Sequence, residues 1–375
     1  MKQIYGRAYV RGSIEDDTLI TIDGGAIAAV TQTRDVPRDA ERTASLIVPG
    51  FIDLHIHGGD GADFMDADER ANARILAFHA RHGTTALMAT TLSGSVTDLQ
   101  NAVAAMARSS DERGAEIAGI HLEGPYINRE RAGAQDRSSI RPADTHEVAS
   151  LLERAPHLQW MITFAPEVEG ARALVERFRD RIVFSIGHTS ADYAEAVAAL
   201  DWGATHFTHL FNAMTGMHHR EPGVVGAALV SRSATAELIA DGVHVHPAVL
   251  NIAATTLPHR IALITDAIRA CGLADGSYKL YDQDVEVKDG SARLRNGGAL
   301  AGSTLTMHDA VRNMIELAGL PIERVIPLAT DVPARIAGVR DRKGTIDRGY
   351  DADLVLLDKK LDIEKVIVRG TNVEL

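Results

Sequence analysis

Between residues 50 and 265 the chain alternates eight short apolar runs with amphipathic stretches, and this alternation constrains the fold more than any other feature. The runs occupy 50–55, 85–89, 117–122, 160–165, 182–186, 205–209, 236–240 and 261–265. Short apolar runs bounded by turn residues read as buried strands. The intervening stretches, such as 68–82, 96–109, 144–153 and 192–200, repeat their apolar residues at helical spacing. Eight successive strand–helix units predict a parallel sheet closed into a (β/α)8 TIM-type barrel.

The ends of the chain have a different texture. Residues 4–48 carry short alternations such as Thr18-Leu19-Ile20-Thr21-Ile22, broken by Asp23-Gly24-Gly25. The tail repeats this style at 344–347, 353–357 and 365–370. Both termini are therefore expected to meet in one small β-sandwich domain, residues 1–48 with 336–375, flanking a barrel domain over 49–335. Residues 276–298 read as a hairpin inserted between the last barrel strand and a helix starting near Leu305.

Composition narrows the function classes. The formal net charge of -12 opposes binding of a nucleic acid, but a small phosphorylated ligand needs only an arginine and a few backbone donors. A single cysteine, Cys271, rules out an intrachain disulfide and suits a reducing compartment. The opening residues lack a basic segment followed by an apolar run, and no stretch reaches the ~20 apolar residues of a membrane span. A soluble cytoplasmic protein is expected.

The chemistry gathers at the ends of the apolar runs. The first ends in Asp53-Leu54-His55-Ile56-His57-Gly58, and alternation along a strand sends His55 and His57 to one side. An H-x-H pair alone is a weak signal. The third run ends in His121-Leu122-Glu123, the fifth in Gly187-His188-Thr189 and the sixth in Thr208-His209-Leu210. The seventh is followed by Asp241-Gly242-Val243-His244, and the eighth by Asp266. A helix cap is the ordinary role of a lone aspartate in such a place, and buried histidines are often only hydrogen-bonded. In a barrel, however, all strand C-termini open on one rim, so these residues converge on a single mouth. Imidazoles with a carboxylate suit zinc or another borderline divalent ion, which acidifies water and polarises an acyl carbonyl. Asp266 is the carboxylate expected to move the proton.

The same motifs resemble the N-acetylglucosamine-6-phosphate deacetylases of the amidohydrolase superfamily over nearly the whole chain. The resemblance is carried by Pro49-Gly50-Phe51-Ile52-Asp53-Leu54-His55-Ile56-His57-Gly58, His121-Leu122-Glu123-Gly124-Pro125, Ala165-Pro166-Glu167 and Gly187-His188-Thr189. Thr208-His209-Leu210-Phe211-Asn212-Ala213-Met214, Arg220-Glu221-Pro222-Gly223, Thr265-Asp266-Ala267 and Ala301-Gly302-Ser303-Thr304 extend it. It implies that Glu123, His188 and His209 hold the principal metal and that Asp266 is general base and acid. His55 and His57 leave room for a second ion, and zinc, iron, manganese or cobalt each suit the ligands. Asn212, Ala213 and His244 would contact the sugar or its acetamide. Arg220 would grip the 6-phosphate, in the family sometimes from the neighbouring subunit of a homodimer. One departure stands out. Where the family carries a histidine on the loop after the third strand, this chain has Gln135, which can hydrogen-bond to substrate but adds no charge. The galacto epimer of the substrate is thus an alternative, as are a cyclic-amide or N-acyl-amino-acid amidohydrolase and a non-catalytic scaffold barrel.

Overall fold

A computed structural model describes residues 1–111 and 113–375. Eight parallel strands form the central sheet: Phe51–Ile56, Thr84–Thr91, Glu116–Glu123, Gln159–Phe164, Val183–Ile186, His206–Phe207, Thr235–Ile239 and Ile261–Ile264. Each overlaps one of the apolar runs. The seam between first and eighth strands closes at their C-terminal ends, where Asp266 N donates to His55 O (2.9 Å) and His57 N donates to Ala267 O (2.9 Å). Asp53 clasps the same seam, accepting from Thr265 Oγ1 at 2.6 Å. Closure thus brings the H-x-H pair beside Asp266.

The helices begin where their first residues can be capped. Asp68, Asp144 and Asp192 accept from backbone N–H groups at the starts of Glu69–Arg81, Thr145–Arg154 and Tyr193–Trp202. Such caps satisfy donors that would otherwise lack partners, each worth about 1 kcal/mol. Apolar faces of these helices and of Val96–Arg108 cover the barrel, as Ile75, Leu76, Leu99, Val103, Leu151 and Leu152 illustrate.

Inside the barrel the mouth-side layer is polar. Thr163 donates to His121 Nε2 (2.7 Å) and pairs with Thr208 Oγ1 (2.7 Å), which in turn meets Ser185 Oγ (2.5 Å). His121 Nδ1 donates to Leu54 O (3.0 Å). Burial, with nearby His55, drives the His121 pKa down to about 3, so the ring is a neutral structural link.

The termini share a seven-stranded mixed sheet built from Lys2–Val10, Ser13–Asp23, Ala26–Gln32, Glu41–Pro49, Leu354–Leu357, Ile363–Val368 and Thr371–Asn372. The expected sandwich is one continuous sheet folded over, since Ala26 bridges back to Asp351. Gly24 and Gly25, at φ +55° and +86°, make the tight turn that fixes the hairpin of its second and third strands, Ser13–Asp23 and Ala26–Gln32. Alternation gives the sheet two apolar faces: Leu354, Leu356 and Ile367 fill its own small core, whereas Val355, Leu357, Val366 and Val368 pack on the barrel. Residues 344–347, expected as a strand, form none; Ile346 still inserts into the small core. The expected insert hairpin is a three-stranded antiparallel sheet, Gly276–Leu280, Gln283–Lys288 and Ser291–Leu294, and the helix after it starts at Met307.

Sheet and barrel are also tied electrostatically. Lys343, 2% exposed, reaches Asp353 (2.6 Å), Asp351 (2.8 Å) and Glu116 (3.2 Å). Removing one partner of such a cluster strands the others without compensation. Lys343→Ala is expected to cost about 3–5 kcal/mol of stability, read as a lower midpoint in urea unfolding. A change within 0.5 kcal/mol would show the cluster to be incidental.

Candidate active site

The rim gathers the strand-end residues as a tight cluster. His188 Nε2 and His209 Nε2 lie 3.0 and 3.1 Å from Glu123 Oε1 and 3.0 Å from each other. His55 Nε2 lies 3.3 Å from the same oxygen and from His57 Nε2, which is 3.2 Å from Glu123 Oε2. Asp266 Oδ1 is 3.2 Å from His57 Nε2 and 3.6 Å from His55 Nε2. Among the described residues the rim forms two ligand triads, Glu123, His188 and His209, and His55, His57 and Asp266, while His55 also groups with His121 and Glu237 beneath them.

Several of these side chains depend on backbone forced into the left-handed region. His188, His209 and Asp266 have φ of +46°, +27° and +51°. Each costs on the order of 1–3 kcal/mol, persisting only because surrounding contacts over-determine it. Glu167 is one such contact: it accepts from Thr189 Oγ1 (2.5 Å), Ser190 N (2.6 Å) and Asn128 Nδ2 (2.8 Å), anchoring the loop that carries His188. Gly187 passes so close to the sixth strand that a Cβ there would lie 2.7 Å from Thr208 Cβ. His79 buttresses the H-x-H motif, its Nε2 donating to Gly58 O at 3.0 Å, and burial lowers its pKa to about 3.

The donor set fits a divalent cation. His188 Nδ1 donates to Arg131 O at 2.7 Å, which leaves Nε2 as the atom that faces Glu123 and His209. His55 Nδ1 likewise donates to Glu237 Oε2 at 3.0 Å and faces the cluster with Nε2. Lone pairs and carboxylate oxygens converging at 3 Å call for positive charge between them. The titration behaviour agrees. Burial opposes a charge on His57, but hydrogen bonds to Asp266 and Glu123 push its pKa up to about 9. Burial raises the Asp266 carboxyl, yet His55 and His57 hold it below the ordinary range; burial likewise works against Glu123, which His55, His188 and His209 hold far lower.

Above the cluster lies a cavity of about 300 Å³. Its lining includes His57, Glu123, Gln135, His188, His209, Asn212, Ala213, His244 and Asp266. The His244 ring is set by Asp241, which accepts from Nδ1 at 2.6 Å and leaves Nε2 for the cavity. Asn212 Nδ2 donates to His209 O (3.2 Å), and Ala213 O accepts from Thr189 N (3.0 Å). Gln135 lines the cavity too, and its amide donates to Glu123 Oε2 (2.5 Å) and accepts from Ser93 N (2.6 Å). Arg220 is outside this cavity, exposed on a loop with NH1 2.7 Å from His219 Nε2. It lines a neighbouring cavity of about 660 Å³ with Ser190, Tyr193 and His218, and Arg131 borders both.

Residues the sequence reading passed over complete the picture. Leu280, Ala299 and Leu300 of the inserted segment wall the cavity, as do Glu130 and Arg131. Glu237 sits wholly buried beneath the cluster; the signal was a lone carboxylate within the apolar run Ala236-Glu237-Leu238-Ile239-Ala240.

Comparison with known proteins places this geometry. The amidohydrolase family model matches residues 46–373. The chain is 38% identical over 362 residues to the N-acetylglucosamine-6-phosphate deacetylase of Bacillus subtilis (strain 168), spanning 94% of this chain and 91% of that one. It is 37% identical over 359 residues to the N-acetylgalactosamine-6-phosphate deacetylase of Escherichia coli O157:H7, spanning 95% and 94%. Its fold superposes on the crystal structure of N-acetyl-D-glucosamine-6-phosphate deacetylase from Mycobacterium smegmatis with a TM-score of 0.94, at 34% identity and 100% coverage of both chains. With a hydrolytic donor cluster at the barrel mouth and likeness along its whole length, the chain belongs to the amidohydrolase family, in the branch that holds these sugar-phosphate deacetylases.

Proposed function

We propose that the protein hydrolyses the acetamide of N-acetylglucosamine 6-phosphate to glucosamine 6-phosphate and acetate. The observation that carries this reading is the 3 Å convergence of Glu123, His188 and His209 beside Asp266, at the floor of a cavity lined by Asn212, Ala213 and His244. Those three ligands would hold a divalent cation, zinc in our reading. When bound, it supplies Lewis acidity toward the amide carbonyl and toward water. Asp266 Oδ1 takes the proton of the attacking water and returns it to the departing amine nitrogen. Its low carboxyl pKa keeps it ionised and ready to accept at neutral pH. His244, fixed by Asp241, donates or accepts at the sugar or the acetamide through Nε2. Asn212 and the backbone of Ala213 orient the sugar.

Arg220 is assigned to the 6-phosphate. Its exposed place on the rim of the adjoining cavity suits a residue that reaches a neighbouring mouth across a homodimer. Among the described residues no helix is long and apolar enough to cross a membrane, and with one cysteine a cytoplasmic enzyme is the reading adopted. Turnover is tested by acetate release from N-acetylglucosamine 6-phosphate, its galacto epimer and the unphosphorylated sugar. The galacto epimer is the second reading because a relative of equal similarity bears that name. Arg220→Ala should lower kcat/KM by roughly 10- to 100-fold on phosphorylated sugars, the worth of one charge-assisted pair, and leave the unphosphorylated sugar unchanged. Equal turnover of both forms by the unaltered enzyme would remove the phosphate clamp.

A further inference from the structure

Glu237 occupies the middle of the seventh barrel strand with 0% exposure, where an apolar residue would cost nothing to bury. A carboxylate there gives up its hydration and stays charged only if the surroundings compensate. Among the described residues its ion-pair partners are histidines: His55, His121 and His206. Oε2 accepts from His55 Nδ1 at 3.0 Å and from the backbone N–H of His209 at 3.1 Å. Oε1 faces His206 Nε2 at 3.4 Å and His121 Nδ1 at 3.9 Å, without a hydrogen bond of its own.

One oxygen therefore links both ligand triads. The bond to His55 fixes the tautomer with hydrogen on Nδ1, which turns the Nε2 lone pair toward His57 and Glu123. The bond to His209 N helps hold a residue whose φ of +27° is unfavourable for a side-chain-bearing residue. We propose that Glu237 is a positioning residue for the cation site, orienting His55 by side chain and His209 by backbone from beneath the barrel floor. This rests on the metal-dependent reading of the rim cluster.

The test strips the full-length chain with a chelator and titrates it with Co²⁺, reading stoichiometry, affinity and the visible ligand-field band. Loss of such a supporting carboxylate generally costs roughly 10- to 100-fold in metal affinity. Glu237→Gln keeps the shape and one acceptor but loses the charge, and is expected near the lower end of that range with an altered band. Glu237→Leu, which removes both, is expected near the upper end. Thr84→Val, a buried hydroxyl without a hydrogen bond at the far end of the second strand, paired with Phe51, should bind Co²⁺ like the parent. Wild-type affinity and spectrum in folded Glu237→Gln would overturn the proposal, and this variant decides the matter if Glu237→Leu does not fold. A parent chain that takes up no Co²⁺ would instead remove the metal-site reading itself, so the two failures are distinguishable.

Discussion

Replacing Asp266 by asparagine is expected to lower kcat by about 10²- to 10⁴-fold, the range for losing a positioned general base, while the chain keeps its cation. The isosteric amide preserves the packing around His57 but cannot take a proton from water. Because Glu123, His188 and His209 form a triad that excludes Asp266, elemental analysis should find that ion retained. Turnover within a factor of three of the parent would exclude Asp266 from proton transfer.

The second large effect concerns the carboxylate shared by the cluster. Glu123 Oε1 lies within 3.3 Å of His55, His188 and His209, and its Oε2 lies 3.2 Å from His57, so one carboxylate touches all four ligand histidines. Glu123→Ala should release the cation and bring turnover down by about 10³-fold or more, since a Lewis acid contributes several kcal/mol and each 1.4 kcal/mol is a factor of ten. Chelation of the parent should produce the same loss, reversed by adding back metal. In the variant, added metal should rescue little. Full activity in a variant free of bound metal would contradict the mechanism.

The barrel strands were legible because each is a short apolar run ending in polar residues, a pattern that survives without tertiary information. The convergence of His55, Glu123, His188, His209 and Asp266 followed from that, since one rim collects all the strand ends. Helix starts were legible through Asp68, Asp144 and Asp192, whose caps act within a single turn. Glu237 was not, because whether a mid-strand carboxylate points inward or outward depends on barrel closure and neighbouring strands. The partnership of Gln135 with Glu123 and Ser93 was equally hidden, as it spans three separated segments. Residues 344–347 resembled a strand by composition, yet their neighbours bond in turns: Tyr350 N donates to Asp347 O and Lys343 N to Val339 O. The third strand of the insert, Ser291–Leu294, was too short for periodicity to reveal.

That insert has its own hydrogen-bonded ladder, separate from the barrel's, and touches the reaction chamber only through Leu280 and the segment at Ala299 and Leu300. The catalytic ligands hang from one framework and a stretch of the chamber wall from another. Lengthening or resurfacing that wall would re-tailor which acyl sugars fit without moving a single ligand, so diversification of substrate and preservation of chemistry are mechanically uncoupled in this architecture.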